Sequence, residues 1–372
     1  MAESSDIYHD GRILKEAKTL STAGYNLAIY GFKNFAYKPP INNEKFKIIS
    51  FPVISRKYRI LRNFSIALNI LIINILILFT KAEVYHAHNT MFLFSMYLSS
   101  KLYRGKFVYD CHEVQWEHNK VEGFLESLFI HRAHQIINVC EGRARCQSQR
   151  YNIDFSKILI LNNYPKQSSF IPKLIHENTK KFKFVFSGGY NLIDNRLDNF
   201  ITVLKSFPDV EFHIIGFGYG NSENRLMQFV KSLNIQEQVC FHPLVHPTIL
   251  TEKLSEYDMA VNFLSNPKNL ISYKYPAINK MYEFLSAGLP ILTSDLPAFI
   301  TDYVDYGVAI TVSPEDHKSI ANGISYILDH KDLLFEMRKK AFSLSQQLYN
   351  WEKQEYKLLN LYEKLVIQSD LV

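Results

Sequence analysis

Cysteine is scarce, with Cys111, Cys140, Cys146 and Cys240 the only four in 372 residues. That is too few for a disulfide scaffold, and their spacing matches no zinc motif, so reduced thiols are expected. Glycine (14) and proline (13) are few as well, which excludes collagen-like and low-complexity chains. No repeat of solenoid period recurs. Runs of Lys and Arg interleaved with aromatics are missing, so no nucleic-acid partner is expected. The opening MAESSDIYHDGR has no basic segment leading into an apolar one, and no signal peptide is expected.

What the chain does have is 47% apolar residues and 21% charged ones, a globular balance, over a length that suits two cores better than one. Its charge is divided. Residues 1–178 hold 23 basic and 14 acidic side chains, and the remainder hold 19 and 22. A first half at +9 suits an anionic surface or a phosphorylated ligand.

Short apolar runs alternate with helical segments throughout, the pattern of parallel α/β sheets. In the first half they fall at 46–53, 84–88, 106–111, 136–140 and 158–162. In the second they fall at 182–186, 211–215, 239–241, 258–263, 290–293 and 308–312. Several are continuous rather than alternating, as in strands covered on both faces. The expected organisation is two doubly wound domains, 1–165 and 181–344, with a linker at 166–180 and ligand in a cleft at the carboxyl ends of the strands. A helix over about 343–366 carries Trp351, Tyr356, Leu359, Tyr362 and Val366 at helical spacing, and residues 345–372 are expected to pack back onto the first domain.

Residues 63–80 (NFSIALNILIINILILFT) form an uncharged 18-residue stretch, near the lower limit for a membrane span. Asn63, Asn69 and Asn74 dilute it, and a strand follows almost at once, so a buried or interfacial helix is expected. Upstream, Arg56, Lys57, Arg59 and Arg62 interleave with Tyr58, Ile60 and Leu61. This basic-aromatic collar suits anionic headgroups, with salt-sensitive attachment, or is an ordinary solvated face.

Three stretches place polar residues at strand ends. Tyr85-His86-Ala87-His88-Asn89 and Tyr109-Asp110-Cys111-His112-Glu113 put histidines where neighbouring strands would end together. They could be core histidines, cleft residues or metal ligands, and the lack of a third ligand cluster downstream argues against a metal. Phe186-Ser187-Gly188-Gly189-Tyr190, followed by Asp194-Asn195-Arg196, reads as a glycine turn at a helix start with a cation beside it; Ile215-Gly216-Phe217-Gly218 repeats the turn. Such turns can cradle phosphate, although neither fits the dinucleotide fingerprint or the Walker spacing. In the third, a helix starting near Pro276 would carry Asn279, Lys280 and Glu283 in its first two turns, and Ala287-Gly288-Leu289-Pro290 would end it. Lys280 and the helix amides can hold a diphosphate, and Glu283 can accept from a ribose diol.

In order along the chain, His-Ala-His-Asn, Tyr-Asp-Cys-His-Glu, Ile-Asn-Val-Cys-Glu-Gly, Asn-Lys-x-x-Glu-Phe-Leu-x-Ala-Gly-Leu-Pro and Ser-Asp-Leu-Pro resemble the family-4 retaining glycosyltransferases of the GT-B fold. The resemblance implies an α/β, GT-B-like fold of two Rossmann-type domains facing a central cleft. The first would serve the acceptor and the second the nucleotide sugar. It implies sugar transfer with retention from a nucleotide-diphosphate donor, with no metal and no separate cofactor. By residue, it implies His112 beside the transferred sugar, Glu283 on the donor ribose, and Arg196 and Lys280 on the diphosphate. Gly188, Gly189, Gly216 and Asn279 would line the donor, and Gly11, Arg12 and His88 the acceptor side. The implied partners are a nucleotide sugar, a glycan or lipid-linked acceptor and an anionic membrane. The implied location is cytoplasmic, peripheral on the inner face of the plasma membrane.

The chain departs from the family pattern in three ways. Tyr275 stands where the first glutamate of Glu-x7-Glu belongs. Gly189 or Tyr190 replaces the arginine of the phosphate loop, a loss that Lys280 could make good. An apolar first strand is not evident in MAESSDIYH, so the sheet is expected to lack it or the chain to be truncated. A GT-B-fold nucleotide-sugar epimerase and a non-catalytic sugar-nucleotide-binding subunit are the competing readings.

Overall fold

Apolar runs flanked on both sides by helices can bury both faces only as parallel strands, and both halves of the chain do so. The computed structural model describes residues 1–34, 45–55, 57–167, 170–172, 181–266 and 268–370; Arg56 of the collar and most of the expected linker lie outside the described residues. The chain divides into two units, Met1–Asn163 with Lys353–Val372, and Tyr164–Glu352.

In the first unit the elements run β1 (Ala2–Asp6), α1 (Gly11–Thr22), β2 (Ala28–Asn34), β3 (Lys47–Val53), α2 (Arg59–Leu78) and β4 (Val84–Ala87). There follow α3 (Leu93–Leu102), β5 (Lys106–Cys111), α4 (Gln115–His118), α5 (Lys120–Phe129), β6 (Gln135–Asn138), α6 (Glu141–Tyr151) and β7 (Ile158–Ile160). The strands form one sheet ordered β3-β2-β1-β4-β5-β6-β7, and every pairing is parallel. Phe92, Phe107, Tyr109, Ile73 and Ile77 are among its fully buried side chains.

The sheet therefore has the first strand that MAESSDIYH gave no sign of, and β1 lies at its centre. Its polarity has a structural cause. Ala2 packs in the core, while Glu3, the next residue, is buried among ionisable groups. β2 was also unread, since Gly31 interrupts its apolar pattern. A Cβ there would stand 2.5 Å from Ile7 and 2.7 Å from the Glu3 carbonyl oxygen, so β1 and β2 meet at a position only glycine fits.

α2 packs against β2 and β3 of the sheet. Ile73 and Ile77 enter the core, Asn69 Nδ2 donates to the Pro52 carbonyl at 2.9 Å, and Asn74 Nδ2 donates to Met91 at 3.2 Å. The asparagines that dilute the apolar stretch thus tie the helix to the unit. On the opposite face of the helix, apolar side chains are exposed.

The second unit holds β8 (Phe182–Tyr190), β9 (Val210–Gly218), β10 (Val239–His242), β11 (Met259–Asn262), β12 (Ile291–Ser294) and β13 (Ala309–Val312), ordered β10-β9-β8-β11-β12-β13 and all parallel. One core face is aromatic: Phe200 meets Phe184, Phe212 and Phe263 edge-on. The other packs Tyr164, Phe299 and Tyr303 with Tyr282 and Phe284 of the helix Asn279–Ser286.

The single helix expected over 343–366 is two, Lys331–Gln347 and Trp351–Asp370. Asn350 explains the break, because its Nδ2 donates to the carbonyls of Ser345 and Gln346 and satisfies the last turn of the first helix. Within the first unit, the second helix brings Tyr362 Oη to His86 Nδ1 at 2.7 Å and Glu355 to the Thr19 hydroxyl at 2.8 Å.

Candidate functional site

Two polar groupings stand out, one in each unit. In the first unit, the carboxyl ends of β1, β4 and β5 bring together Glu3, His86, His88, Asp110 and His112, and α1 adds Arg12 and Glu16. Asp10 starts α1 by accepting from the amides of Arg12 and Ile13, which aims the first turn at the sheet. A Cβ on Gly11 would meet nothing within 4 Å, so packing does not demand that glycine.

Asp110 is the hub. Arg12 grips it bidentately, Nε to Oδ2 and Nη2 to Oδ1 both at 2.9 Å, and Arg12 Nη1 donates to the Leu161 carbonyl at 2.8 Å. His112 Nε2 and His88 Nδ1 stand 3.2 and 3.3 Å from Asp110 Oδ2, and 3.2 Å from each other. Glu16 Oε1 lies 3.1 Å from Arg12 Nε. Arg12, Glu16, His86, His88 and Asp110 are all buried, whereas the His112 side chain is 21% exposed and forms the outlet of the group. Arg12 and His88, expected on the acceptor side, are therefore closed off from solvent and act through their neighbours.

The protonation states follow from these contacts. Burial would lower His112, but the Asp110 charge and hydrogen bond outweigh it and raise the group to about 9. His112 is a cation at neutral pH. Burial would raise Asp110, but Arg12 and His112 hold it well below the usual carboxylate range. Burial lowers His88 to about 4 and raises Glu3 to about 7 and Glu16 to about 8.

Among the described residues, Glu16, His86, His88 and Asp110 form the group with metal-ligand chemistry, with ligand atoms within 4.8 Å of one another. The third cluster sought downstream thus comes from α1 upstream. Arg12 already sets a full positive charge against both carboxylates, which leaves a second cation poorly accommodated. Beside the group, at the ends of β1, β2 and β3, a cavity of about 540 Å³ is lined by Ser4, Ser5, Asp6, Lys33, Asn34 and Arg62 among others. A larger one of about 680 Å³ opens at the opposite, amino-terminal edge of the sheet, around Met1, Lys47 and Val84.

In the second unit the glycines expected in turns lie inside strands. Gly188 pairs with Gly216 and Tyr190 with Gly218 across β8 and β9. A Cβ on Gly216 would stand 2.0 Å from the Gly188 carbonyl oxygen, and Gly188 has φ +101°, so neither position takes a larger residue without strain. A Cβ on Gly188 would stand 3.5 Å from Lys280 Cε and Nζ, and one on Gly189 would stand 2.7 Å from the Tyr219 hydroxyl. Lys280 Nζ sits 3.9 Å from the centroid of the Phe186 ring. Bare backbone, an ammonium and two aromatic rings thus converge at the end of β8. Burial lowers Lys280 to about 8, against the opposing charge of Glu283.

The helix carrying Lys280 begins at Asn279, not near Pro276; Ile278 is its cap and Glu283 lies one turn in. Arg196 is held by contacts of its own. It has φ +44° between the helices Leu192–Asn195 and Leu197–Leu204, so it does not open a simple helix. Its Nη2 pairs with Glu315 at 2.9 Å, and Ser265 Oγ donates to the other Glu315 oxygen at 2.7 Å. Its Nε is buried with no hydrogen-bond partner among the described residues. Tyr275 follows the short helix Ile271–Lys274 and supplies no carboxylate.

Sequence reasoning did not single out Glu3, Glu16, Glu315 or Tyr219. A signal for Glu16 existed: Arg12 and Glu16, four apart, flank the apolar stripe Ile13, Ala17 and Leu20.

The two parallel-sheet units have the architecture of GT-B glycosyltransferases, and residues 169–343 match the family model described as glycosyl transferases group 1. Among curated proteins, the chain is similar to the O-antigen chain mannosyltransferase RfbU of Salmonella typhimurium, at 24% identity over 238 residues. That stretch is 61% of this chain and spans 62% of the relative's length. Among solved structures, the fold is that of sucrose-phosphate synthase from Thermosynechococcus elongatus (TM-score 0.74, 14% identity, 96% of this chain and 93% of that one). It is also that of Anabaena Alr3699/HepE in complex with UDP (TM-score 0.72, 12% identity, 98% of each chain).

Proposed function

We propose that this chain is a retaining, metal-independent glycosyltransferase that moves a sugar from a nucleotide-diphosphate donor to a glycan or lipid-linked acceptor in surface polysaccharide synthesis. The observation that carries the reading is Lys280, held by its helix against the bare backbone of Gly188 inside the segment that matches the group 1 model. An ammonium at an open glycine is suited to a diphosphate. Glu283, one turn on, would take the ribose hydroxyls, with Asn279 exposed at the helix start.

In the reaction the bond between the sugar's anomeric carbon and the diphosphate oxygen breaks, and a bond from that carbon to the acceptor oxygen forms. The proton leaving the acceptor hydroxyl goes to the departing diphosphate. Lys280 and Arg196 stabilise the negative charge that develops there, as preorganised cations do in a low-dielectric site. His112, cationic at neutral pH, is assigned to the transferred sugar. Asp110, itself gripped by Arg12, fixes its charge and direction from behind. The cavity beside Ser4, Lys33 and Arg62 would take the acceptor. The protein would work from the cytoplasm, peripheral on the inner face of the plasma membrane.

The test is donor binding and consumption, with and without a lipid-linked acceptor. Lys280→Ala and Glu283→Ala should each lose about 1.5–3 kcal/mol of nucleoside diphosphate affinity, as expected for a charged hydrogen-bonding partner. Affinities equal to the parent's would overturn the assignment. Donor turnover without any acceptor would favour the epimerase, and binding without turnover the non-catalytic subunit, for which the missing carboxylate at Tyr275 speaks.

A further inference from the structure

The outward sides of three neighbouring helices are apolar where a soluble layer would be polar. On α2, Ile60, Phe64, Leu68, Leu71, Ile75 and Phe79 are exposed at spacings of three and four, the turn of the helix that faces away from Asn69, Ile73 and Ile77. An 18-residue window of α2 is apolar enough to cross a membrane, and only 17% of it is buried. α3 packs beside α2 and exposes Phe94, Leu98 and Leu102. α5 packs beside α3 and exposes Val121, Phe124 and Leu128. Scattered exposed apolar residues are ordinary, but a stripe on each of three adjoining helices marks an interaction surface.

Charge selects the occupant. Neither α2 nor α3 carries an acidic residue. Lys57, Arg59 and Arg62 stand at the amino end of α2, and Lys101 and Arg104 at the carboxyl end of α3. On α5, Glu126 is buried and Glu122 accepts from Thr90 and Asn119. A second copy of this chain docked by a two-fold axis would set basic rim against basic rim. A bilayer offers hydrocarbon to the stripes and anionic headgroups to both rims.

We propose that the layer α2-α3-α5 is a monotopic insertion surface, lying in the plane of one bilayer leaflet and held chiefly by apolar burial, with the basic rims adding attraction to anionic lipid. The proposal deepens the membrane location of the proposed function and rests on it. It replaces the weak, salt-sensitive attachment expected from the collar alone, because burial of side chains such as Phe64 and Leu68 is not screened by salt.

The experiment is sedimentation of the full chain with vesicles of phosphatidylcholine, alone or mixed with phosphatidylglycerol, at low salt and at about 1 M NaCl, where the Debye length is about 3 Å. The parent should stay bound to both vesicle types at high salt. Phe64→Gln/Leu68→Gln/Leu71→Gln should lose at least about tenfold in partitioning, since each removes a side chain that inserts. Lys57→Gln/Arg59→Gln should lose only the extra binding to anionic vesicles at low salt. Release of the parent by high salt, or unchanged binding of the apolar variant, overturns the proposal. So does a lipid-free parent dimer that the apolar variant makes monomeric, which would assign the face to a second copy. Nucleoside diphosphate binding, measured on the same preparations, separates the two readings. Retained nucleotide binding in the apolar variant shows that it is folded. A parent that binds vesicles but no nucleotide defeats the transferase reading and leaves the insertion surface standing; a parent that binds nucleotide but no vesicle does the reverse.

Discussion

Asp110→Asn is the substitution that most directly tests the wiring of the first unit. The side chain keeps its size, but the charge facing Arg12 at two 2.9 Å contacts disappears, and one of those contacts meets an amide that cannot accept. Breaking a buried ion pair from one side costs about 3–5 kcal/mol, because the partner is left charged and dry. A second route gives a similar scale: Asp110 helps raise His112 from 6.5 to about 9, and such a shift corresponds to roughly 3 kcal/mol. The two share one carboxylate, so they do not add. Glu16, whose raised value owes something to the Asp110 charge, can ionise in the variant and recover part of the loss. The expectation is a destabilisation of about 3 kcal/mol at neutral pH, read by hydrogen exchange of the β4 and β5 amides so that the first unit is followed alone.

The pH dependence adds an independent readout. A histidine raised on folding contributes stability that is complete below its unfolded value near 6.5 and is lost as pH rises through about 9. Glu3 and Glu16, raised from 4.5 to about 7 and about 8, act in the same direction from about pH 4.5 upward, since the folded form holds protons that the unfolded one has released, while His88, lowered to about 4, opposes them below about pH 6.5. The parent's first unit should therefore lose protection between about pH 6.5 and 9. In Asp110→Asn the histidine part of that slope should shrink. A variant within about 1 kcal/mol of the parent and with the same slope would refute the hub assignment.

His112→Ala should lower turnover far more than it weakens binding of the bare nucleotide, and full activity would return His112 to a purely structural role. Donor affinity should fall as pH rises through about 8, where Lys280 loses its charge; a profile flat to pH 10 would remove Lys280 from the diphosphate site. Gly216→Ala should weaken nucleotide binding and destabilise the second unit by about 2 kcal/mol or more, since its Cβ would sit 2.0 Å from the Gly188 oxygen; a neutral effect by denaturant unfolding would show that β8 and β9 can part there.

The strands legible in the sequence were those whose apolar runs serve only the core, such as Phe182–Phe186 within β8 and the whole of β12. β1 was not, and the reason is physical rather than statistical. Ala2, its first residue, alone gives it an apolar signal, while Glu3 is committed to the group around His112 and Asp6 caps the turn that follows. A strand that ends in a polar site sacrifices the pattern by which strands are recognised. The glycines of β8 and β9 misled in the opposite sense. Gly188 and Gly216 look like turn residues, yet they allow two strands to approach where side chains would collide, and they leave Lys280 against open backbone. At the candidate site, residue types next to one another in sequence were visible, including His86, His88, Asp110 and His112. Arg12 was expected on the acceptor side, but its grip on Asp110 and its pairing with Glu16 were not visible, because that helix lies about a hundred residues from Asp110 in the chain. The Asp110 charge, kept ionised by Arg12, makes one of a run of common polar residues a histidine that stays charged at neutral pH against the pull of burial, and only the fold supplies those contacts.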